Sequence, residues 1–275
     1  MRKRIKESTR HVNAVLKALQ VLDCFQVQPL LQLKKICELT GMNRSRVIRL
    51  CGTLESKGYL AYESETRHYR LGSRILSLSK VYESSNNLIS FARPILRYVV
   101  EHTGESVSLF IVDGLKRFCV AGEEGTFSIR YNIPEGQPIP LYAGAGGKLL
   151  LAFGPEELRR KVLRRSRLKR LTPATTTDPQ KLETEFEAIR RQGYASSCGE
   201  REPDVAALAA PIYNHEGTVC ASLTLAGPIH RFSGEPGANH LRILLAAAGR
   251  LSQMLGYPDR NTTNHDSEPG PGAAL

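Results

Sequence analysis

The 275-residue sequence predicts a two-domain chain of α+β class: a small basic N-terminal domain of helices closed by a β-hairpin, then a larger domain of helices on a largely antiparallel sheet. Three observations carry this prediction. The chain is long enough for two domains that each bury a core. Apolar residues recur at helical spacing through the first third and then include several runs of strand character, two of them paired about short turns. The charge is also divided: residues 1–90 hold 16 Lys and Arg against 7 Asp and Glu, whereas residues 91–275 hold 22 against 20.

In the stretch HVNAVLKALQVLDCF, residues 11–25, Val12, Val15, Leu16, Leu19, Leu22 and Phe25 fall on one continuous helical stripe. A second helix is expected over 32–39, stopped by Gly41. Asn43 is a natural N-cap for a third, which runs to about Lys57 and is ended by Gly58. YLAYESETRHYRLG then alternates on both sides of a polar SET and predicts a hairpin. Helical spacing returns through Ile75, Leu78 and Val81 until SSNN at 84–87 interrupts it, so residues 73–87 are expected to form a linker helix.

The second domain is expected over 88–257. It opens with a helix over 88–102, then a hairpin turned at Asp113-Gly114, with TFSIRYNI as a further strand. Helices are expected at 147–153, 155–165 and 180–192, a buried strand pair turned at His215-Glu216-Gly217, and a closing helix in LRILLAAAGRLSQML. Residues 1–11 form a basic arm, and the polar, Pro- and Gly-rich 258–275 reads as a disordered tail.

Composition excludes several classes. The basic opening is followed by no apolar core of signal-peptide type, and no run approaches a membrane span, so a cytoplasmic protein without membrane contact is expected. The six cysteines form no C-x-x-C pair and the seven histidines have no metal-ligand spacing, so neither metal nor cofactor is expected. AGAGGKLLL is not a phosphate loop, which requires Gly at Tyr142 and Ser or Thr at Leu149. No nucleophile, base and orienting group are brought together by any motif, so no enzyme is expected.

The third helix is oily on one side and cationic on the other. Val47, Leu50, Cys51 and Leu54 share one face, Ser45, Arg49, Gly52 and Ser56 the opposite one, with Arg44 and Arg46 on the flanks. Leu33, Cys37, Gly41, Val47 and Leu50 have the spacing of a helix-turn-helix, in which a small residue sits at the helix crossing and a glycine in the turn. A local excess of cations then implies double-stranded DNA. Ser45, Arg46 and Arg49 are placed to read base edges, since arginine can bridge guanine O6 and N7. Arg44, Lys57 and the arm are placed for phosphates, and the hairpin forms a wing bearing Arg67 and His68.

Over nearly the whole chain, from Val12 to Tyr257, the sequence resembles the isocitrate lyase regulator (IclR) family of bacterial transcription factors. The resemblance lies in the winged helix-turn-helix over 12–72 with its closing HYRLG, in ARPILRYVVEHTGESVSL at 92–109, AGAGGKLLLAF at 143–153, RQGYASSCGE at 191–200 and LAAPIYNHEGTVCASLTLAGP at 208–228. It implies a homodimer or homotetramer that binds an inverted-repeat operator, and a GAF/PAS-like effector-binding domain that takes a small molecule, an organic or aromatic acid of catabolism. Carried over by motif, the effector pocket comprises Ala145 and Gly146 in the glycine turn, Ser197 and Cys198 after Gly-Tyr, Ala207 in the strand that runs to Ala-Pro, and Thr224 and Ala226 before Gly-Pro. Ser197, Ala207 and Ala226 are smaller or less polar than the side chains of acid-binding members, which favours a larger or partly aromatic ligand. The residues alone add that backbone N–H groups at the start of the helix after Gly144 would favour a carboxylate. A constitutive DNA-binding protein whose second domain only oligomerises is the alternative reading.

Overall fold

The computed structural model describes residues 12–84, 87–165 and 168–258, and the chain divides into two compact units at 85/86. The basic arm, the tail beyond residue 258 and residues 85 and 86 of the expected linker helix lie outside the described residues.

In the first unit, α1 (Asn13–Asp23), α2 (Leu33–Thr40) and α3 (Arg44–Ser56) pack around Val21, Ile36, Val47 and Cys51, each fully excluded from solvent. The turn between α2 and α3 uses Gly41 at φ 66°, a left-handed conformation that glycine adopts without steric cost. Asn43 then caps α3, its Oδ1 accepting from the Arg46 N–H at 3.0 Å. The hairpin β2 (Leu60–Glu63) and β3 (His68–Leu71) acquires a third strand, β1 (Leu31–Gln32), in the order β1-β3-β2. Two residues are too short a run for periodicity to reveal. Gly72 closes the wing: a Cβ there would lie 2.1 Å from the Gly58 carbonyl oxygen. The helix α4 (Ser73–Ser84) follows.

The expected stripe of α1 is only partly the core face. Of its residues Phe25 is buried and Leu22 half-buried, but Val12, Val15, Leu16 and Leu19 are 44–68 % exposed, and the helix's fully buried residue is Val21, which the stripe omits. The first turns of α1 are separated from α3 by an open groove that Ala14 and Val15 line, which leaves their apolar residues in solvent.

The second unit is a six-stranded antiparallel sheet in the order β6-β5-β4-β9-β8-β7. Its strands are β4 (Ser106–Asp113), β5 (Lys116–Glu123), β6 (Pro138–Pro140), β7 (Ala195–Cys198), β8 (Val205–Tyr213) and β9 (Val219–Pro228). One face carries Val107, Leu109, Ala210, Ile212, Leu223 and Leu225 and is covered by α5 (Asn87–Thr103) and α9 (Gly234–Met254). Alternate residues, among them Phe110 and Ala209, face α6 (Ala145–Phe153) and α8 (Pro179–Gln192), while α7 (Glu156–Arg165) lies beside α6. Each such buried aliphatic or aromatic side chain contributes roughly 1.5–3 kcal/mol.

The register of β5 against β4 is broken. Leu109 pairs with Ala121, but Phe110 pairs with Cys119, so Val120 is an extra residue. This bulge reverses the faces along β5: Ala121 lies toward α5 and α9, whereas Cys119, and with it Arg117 opposite Val112, lies toward α6.

The expected strand TFSIRYNI does not form. The Thr126 N–H bonds the Gly104 carbonyl at 2.9 Å, the Phe127 ring packs against Gly104 and beneath the Arg231 guanidinium, and β6 takes the edge of β5 instead.

Candidate functional site

On the first unit, α3 presents Arg44, Ser45, Arg46, Arg49, Gly52 and Lys57 to solvent while Val47, Cys51 and Leu54 are buried. A Cβ added at Gly52 would meet nothing within 4 Å, so the outward face is flat enough for close approach by a partner. A groove of about 730 Å³ runs between α1 and α3, lined by Asn13, Lys17, Ser45, Arg46 and Arg49. Arg67 lies in the turn of the wing, and His68, half-buried, is the first residue of β3, paired with Glu63 and Gln32. Arg67 is exposed at φ 56°, which is uncommon for a residue with a Cβ.

In the second unit one cavity gathers Ala145, Gly146, Ser197, Ala207, Thr224 and Ala226. Cys198, the seventh residue expected there, is exposed and does not line it. The pleat separates the pair: on β7 Ser197 is turned toward α6, so its neighbour points away.

The glycine turn is not an open set of donors. The Gly144 N–H bonds the Glu200 carboxylate at 2.8 Å and the Ala145 N–H bonds the Ser197 hydroxyl at 3.0 Å. Ser197 therefore serves the helix start as a capping acceptor supplied from β7. Glu200 is held in turn by Lys148, whose ammonium contacts both Glu200 and Glu185. The Thr175 hydroxyl donates to the Glu200 carbonyl at 2.7 Å, and the Thr172 hydroxyl to that of Gly199.

What fills the space above the turn is Arg117. It is 2 % exposed, and its guanidinium carbon lies 4.7 Å from the centre of the Phe110 ring. Its Nη1 would be 2.9 and 3.0 Å from Cβ atoms added at Gly146 and Gly147. Among the described residues its one hydrogen bond is a long one, Nη2 to the Ala143 carbonyl at 3.4 Å; Nε and Nη1 have none there, and neither do the buried hydroxyls of Ser222 and Thr224. Burial, reinforced by the nearby Arg201, pushes the guanidinium down to about 9, still a cation at neutral pH. The small residues at 207 and 226 thus do not leave a large pocket: the cavity encloses about 30 Å³, room for one or two waters or a group of similar size.

Arg117, Ser222 and Phe110 were missed by sequence reasoning. Ser222 is legible in hindsight, two residues before Thr224 and on the same face of β9. Arg117 is not, because simple alternation places it on the Ala121 face and only the bulge turns it inward. Among the described residues no group of His, Cys, Asp and Glu is placed to hold a metal ion, and no helix is long and apolar enough to cross a membrane.

Known proteins resemble this chain over about nine-tenths of its length. The profile of the IclR helix-turn-helix domain matches residues 14–64, and that of the bacterial transcriptional regulator IclR C-terminal matches residues 80–253. The HTH-type transcriptional regulator KipR of Bacillus subtilis strain 168 is 32 % identical over 243 residues, which cover 88 % of this chain and 97 % of KipR. The crystal structure of an IclR transcriptional regulator from Alicyclobacillus acidocaldarius superposes with a TM-score of 0.80 at 27 % identity, covering 90 % of this chain and 100 % of that one. An IclR homologue of Microbacterium hydrocarbonoxydans, solved in complex with 4-hydroxybenzoate, shares the fold at a TM-score of 0.77 and 23 % identity, covering 88 % and 98 %.

Proposed function

The chain belongs to the IclR family of bacterial transcriptional regulators, and from that premise we propose that its binding to an operator is controlled by a small metabolite held in the second unit. The observation that carries the DNA half is the outward face of α3, where Arg46 and Arg49 are exposed beside Ser45 while the opposite face is locked into the core. Two such helices, one from each protomer of a dimer or of a dimer pair, would meet an inverted repeat in successive major grooves. Arg44 and Lys57 serve phosphates, and Arg67 and His68 of the wing serve the backbone or minor groove.

The ligand half is supported by the cavity beneath α6, which gathers six residues from four separate segments and leaves buried polar atoms without partners among the described residues. A domain that only oligomerises has no use for orphaned donors in its interior, since each one costs free energy. The ligand class is an organic or aromatic acid, and the 4-hydroxybenzoate complex of the Microbacterium homologue makes that acid a sensible first trial. Effector control requires unequal affinity of the ligand for the DNA-competent and incompetent states.

Affinity selection from a genomic-fragment library that includes the DNA flanking the protein's own gene tests the reading at two salt concentrations. A short inverted repeat retained at the higher salt, and released or tightened by an added acid, supports it. Binding that fades equally for all fragments reduces the basic face to a general polyanion surface. An operator affinity indifferent to every acid that raises the thermal midpoint removes the control and leaves the DNA binding.

A further inference from the structure

We propose that Arg117 is the anion receptor of the cavity under α6, so that its ligand carries one carboxylate seated between the Arg117 guanidinium and the hydroxyls of Ser222 and Thr224. This rests on the reading of that cavity as the effector site and adds to it the charge, the orientation and the deep end of the ligand.

Three orphans converge on one place. A point one bond length off the Gly146 Cα, where an alanine would put its Cβ, lies 2.5 Å from Thr224 Oγ1, 2.9 Å from Arg117 Nη1 and 3.1 Å from Ser222 Oγ; the seat itself is the adjoining cavity that Arg117, Gly146 and Thr224 line, with Ser222 just behind them. None of the three atoms has a partner among the described residues, and the residues that bear them are 6 %, 2 % and 0 % exposed. A guanidinium only donates, whereas hydroxyls can donate or accept, so an acceptor with several lone pairs can satisfy all three. Water can meet one or two of them but leaves the buried charge uncompensated, which is the costly part. A carboxylate meets both needs.

Glu200 offsets part of the Arg117 charge from nearby, but no acid of the cavity pairs with it directly among the described residues. Glu200 is engaged by Lys148 and the Gly144 N–H, and Glu202 is exposed. Arg117 instead rests on the Phe110 face and the Ala143 carbonyl, weak partners for a cation withdrawn from water. The bulge at Val120 turns it to this side of the sheet in the first place. Of the lining residues Glu202 is exposed and Ser197, Arg201, Val205 and Ala207 are half-buried, so the body of a longer acid passes out on that side. Because Arg201 and Glu202 carry opposite charges and Arg117 is the unpaired buried cation of the lining, one anionic group suffices.

The test uses the full chain in a carboxylate-free buffer at fixed chloride, with acetate, propanoate, benzoate and 4-hydroxybenzoate, each against its neutral amide. Thermal midpoint and titration calorimetry are read on the wild type, Arg117→Met and Gly146→Ala. We expect at least one acid to bind and raise the midpoint, with its amide at least tenfold weaker. Arg117→Met should lose about tenfold to a hundredfold in acid affinity, the usual loss when a hydrogen bond to a charged group is removed. Without acid it should melt at or above the wild type, because an unpaired buried charge has been replaced by an apolar chain. Where Arg117→Met does not fold, Arg117→Lys decides: weakened acid binding at an unchanged midpoint supports the receptor, and unchanged affinity overturns it. If no acid binds, or acid and amide bind alike, the inference is wrong. Acid binding lost in Gly146→Ala but intact in Arg117→Met overturns the receptor while leaving the effector site. Binding intact in both variants places the ligand elsewhere and overturns the site as well.

Discussion

Replacing Lys148 by methionine should destabilise the second unit far more than replacing Lys148 and Glu200 together. Lys148 is 4 % exposed and contacts two carboxylates, Glu200 (8 % exposed) and the more accessible Glu185 at 2.8 Å. Glu200 also holds the first N–H of the glycine turn. Removing the ammonium leaves the Glu200 carboxylate buried beside one N–H donor, a loss of about 3–5 kcal/mol for a broken buried pair. Glutamine at 200 removes the stranded charge while its carbonyl can still accept from Gly144. Glu185 keeps the Thr176 hydroxyl at 2.9 Å and is a third exposed, so it can rehydrate. Lys148→Met/Glu200→Gln should therefore lie within about 1–2 kcal/mol of the wild type, a coupling of about 2–3 kcal/mol. Because the chain has two compact units and no Trp, the assay is differential scanning calorimetry, following the transition of the larger unit. At roughly 2–4 °C per kcal/mol for a unit of this size, the single variant should melt about 6–20 °C lower and the double variant much closer to the wild type. Additive single losses, with coupling below about 0.5 kcal/mol, would refute the picture of one charge network supporting the turn.

Arg49→Ala should weaken operator binding by about 1–3 kcal/mol and flatten preference at one base pair; an equal loss on scrambled DNA would make Arg49 a phosphate contact instead. Asn43→Ala should lower the stability of the first unit by about 1 kcal/mol through loss of the cap on the Arg46 N–H, read as a drop of its thermal midpoint. Asn43→Asp should hold that midpoint yet weaken DNA binding, because it places a negative charge where phosphates approach. Gly72→Ala should cost about 2–3 kcal/mol, since its Cβ would fall 2.1 Å from the Gly58 carbonyl oxygen; a midpoint unchanged within 2 °C would show that the wing relaxes without strain.

Local chemistry was legible in the chain itself. Gly41 and Asn43 mark where one helix stops and the next starts, and the structure has Gly41 left-handed and Asn43 capping. The two faces of α3 followed from its 3.6-residue period, and the glycine turn and the motifs around residues 197, 207 and 224 lead to one cavity. The helix stop, the cap and the two faces survive because each depends on residues within a few positions of one another, whereas the segments of the cavity were named through the family resemblance. The two-residue β1, the edge strand β6 and the failure of 126–133 to pair were not legible, since whether a short extended segment becomes a strand depends on which edge is free beside it.

The chemistry inside the cavity belongs to the tertiary structure alone. From sequence, the helix start after Gly144 offers free N–H groups to a ligand; in the fold, Ser197 and Glu200, more than fifty residues away, have already taken two of them. From sequence, Arg117 is one more cation on an alternating strand; in the fold, one extra residue at Val120 reverses the strand's faces and buries it opposite Ser222 and Thr224. The sequence by itself determined the family, the helix that presents arginines and the segments that surround the cavity. Only the tertiary structure decided which polar groups there are already satisfied and which are left over, because hydrogen bonds are allotted among all groups that meet in space, and a bulge changes which groups meet.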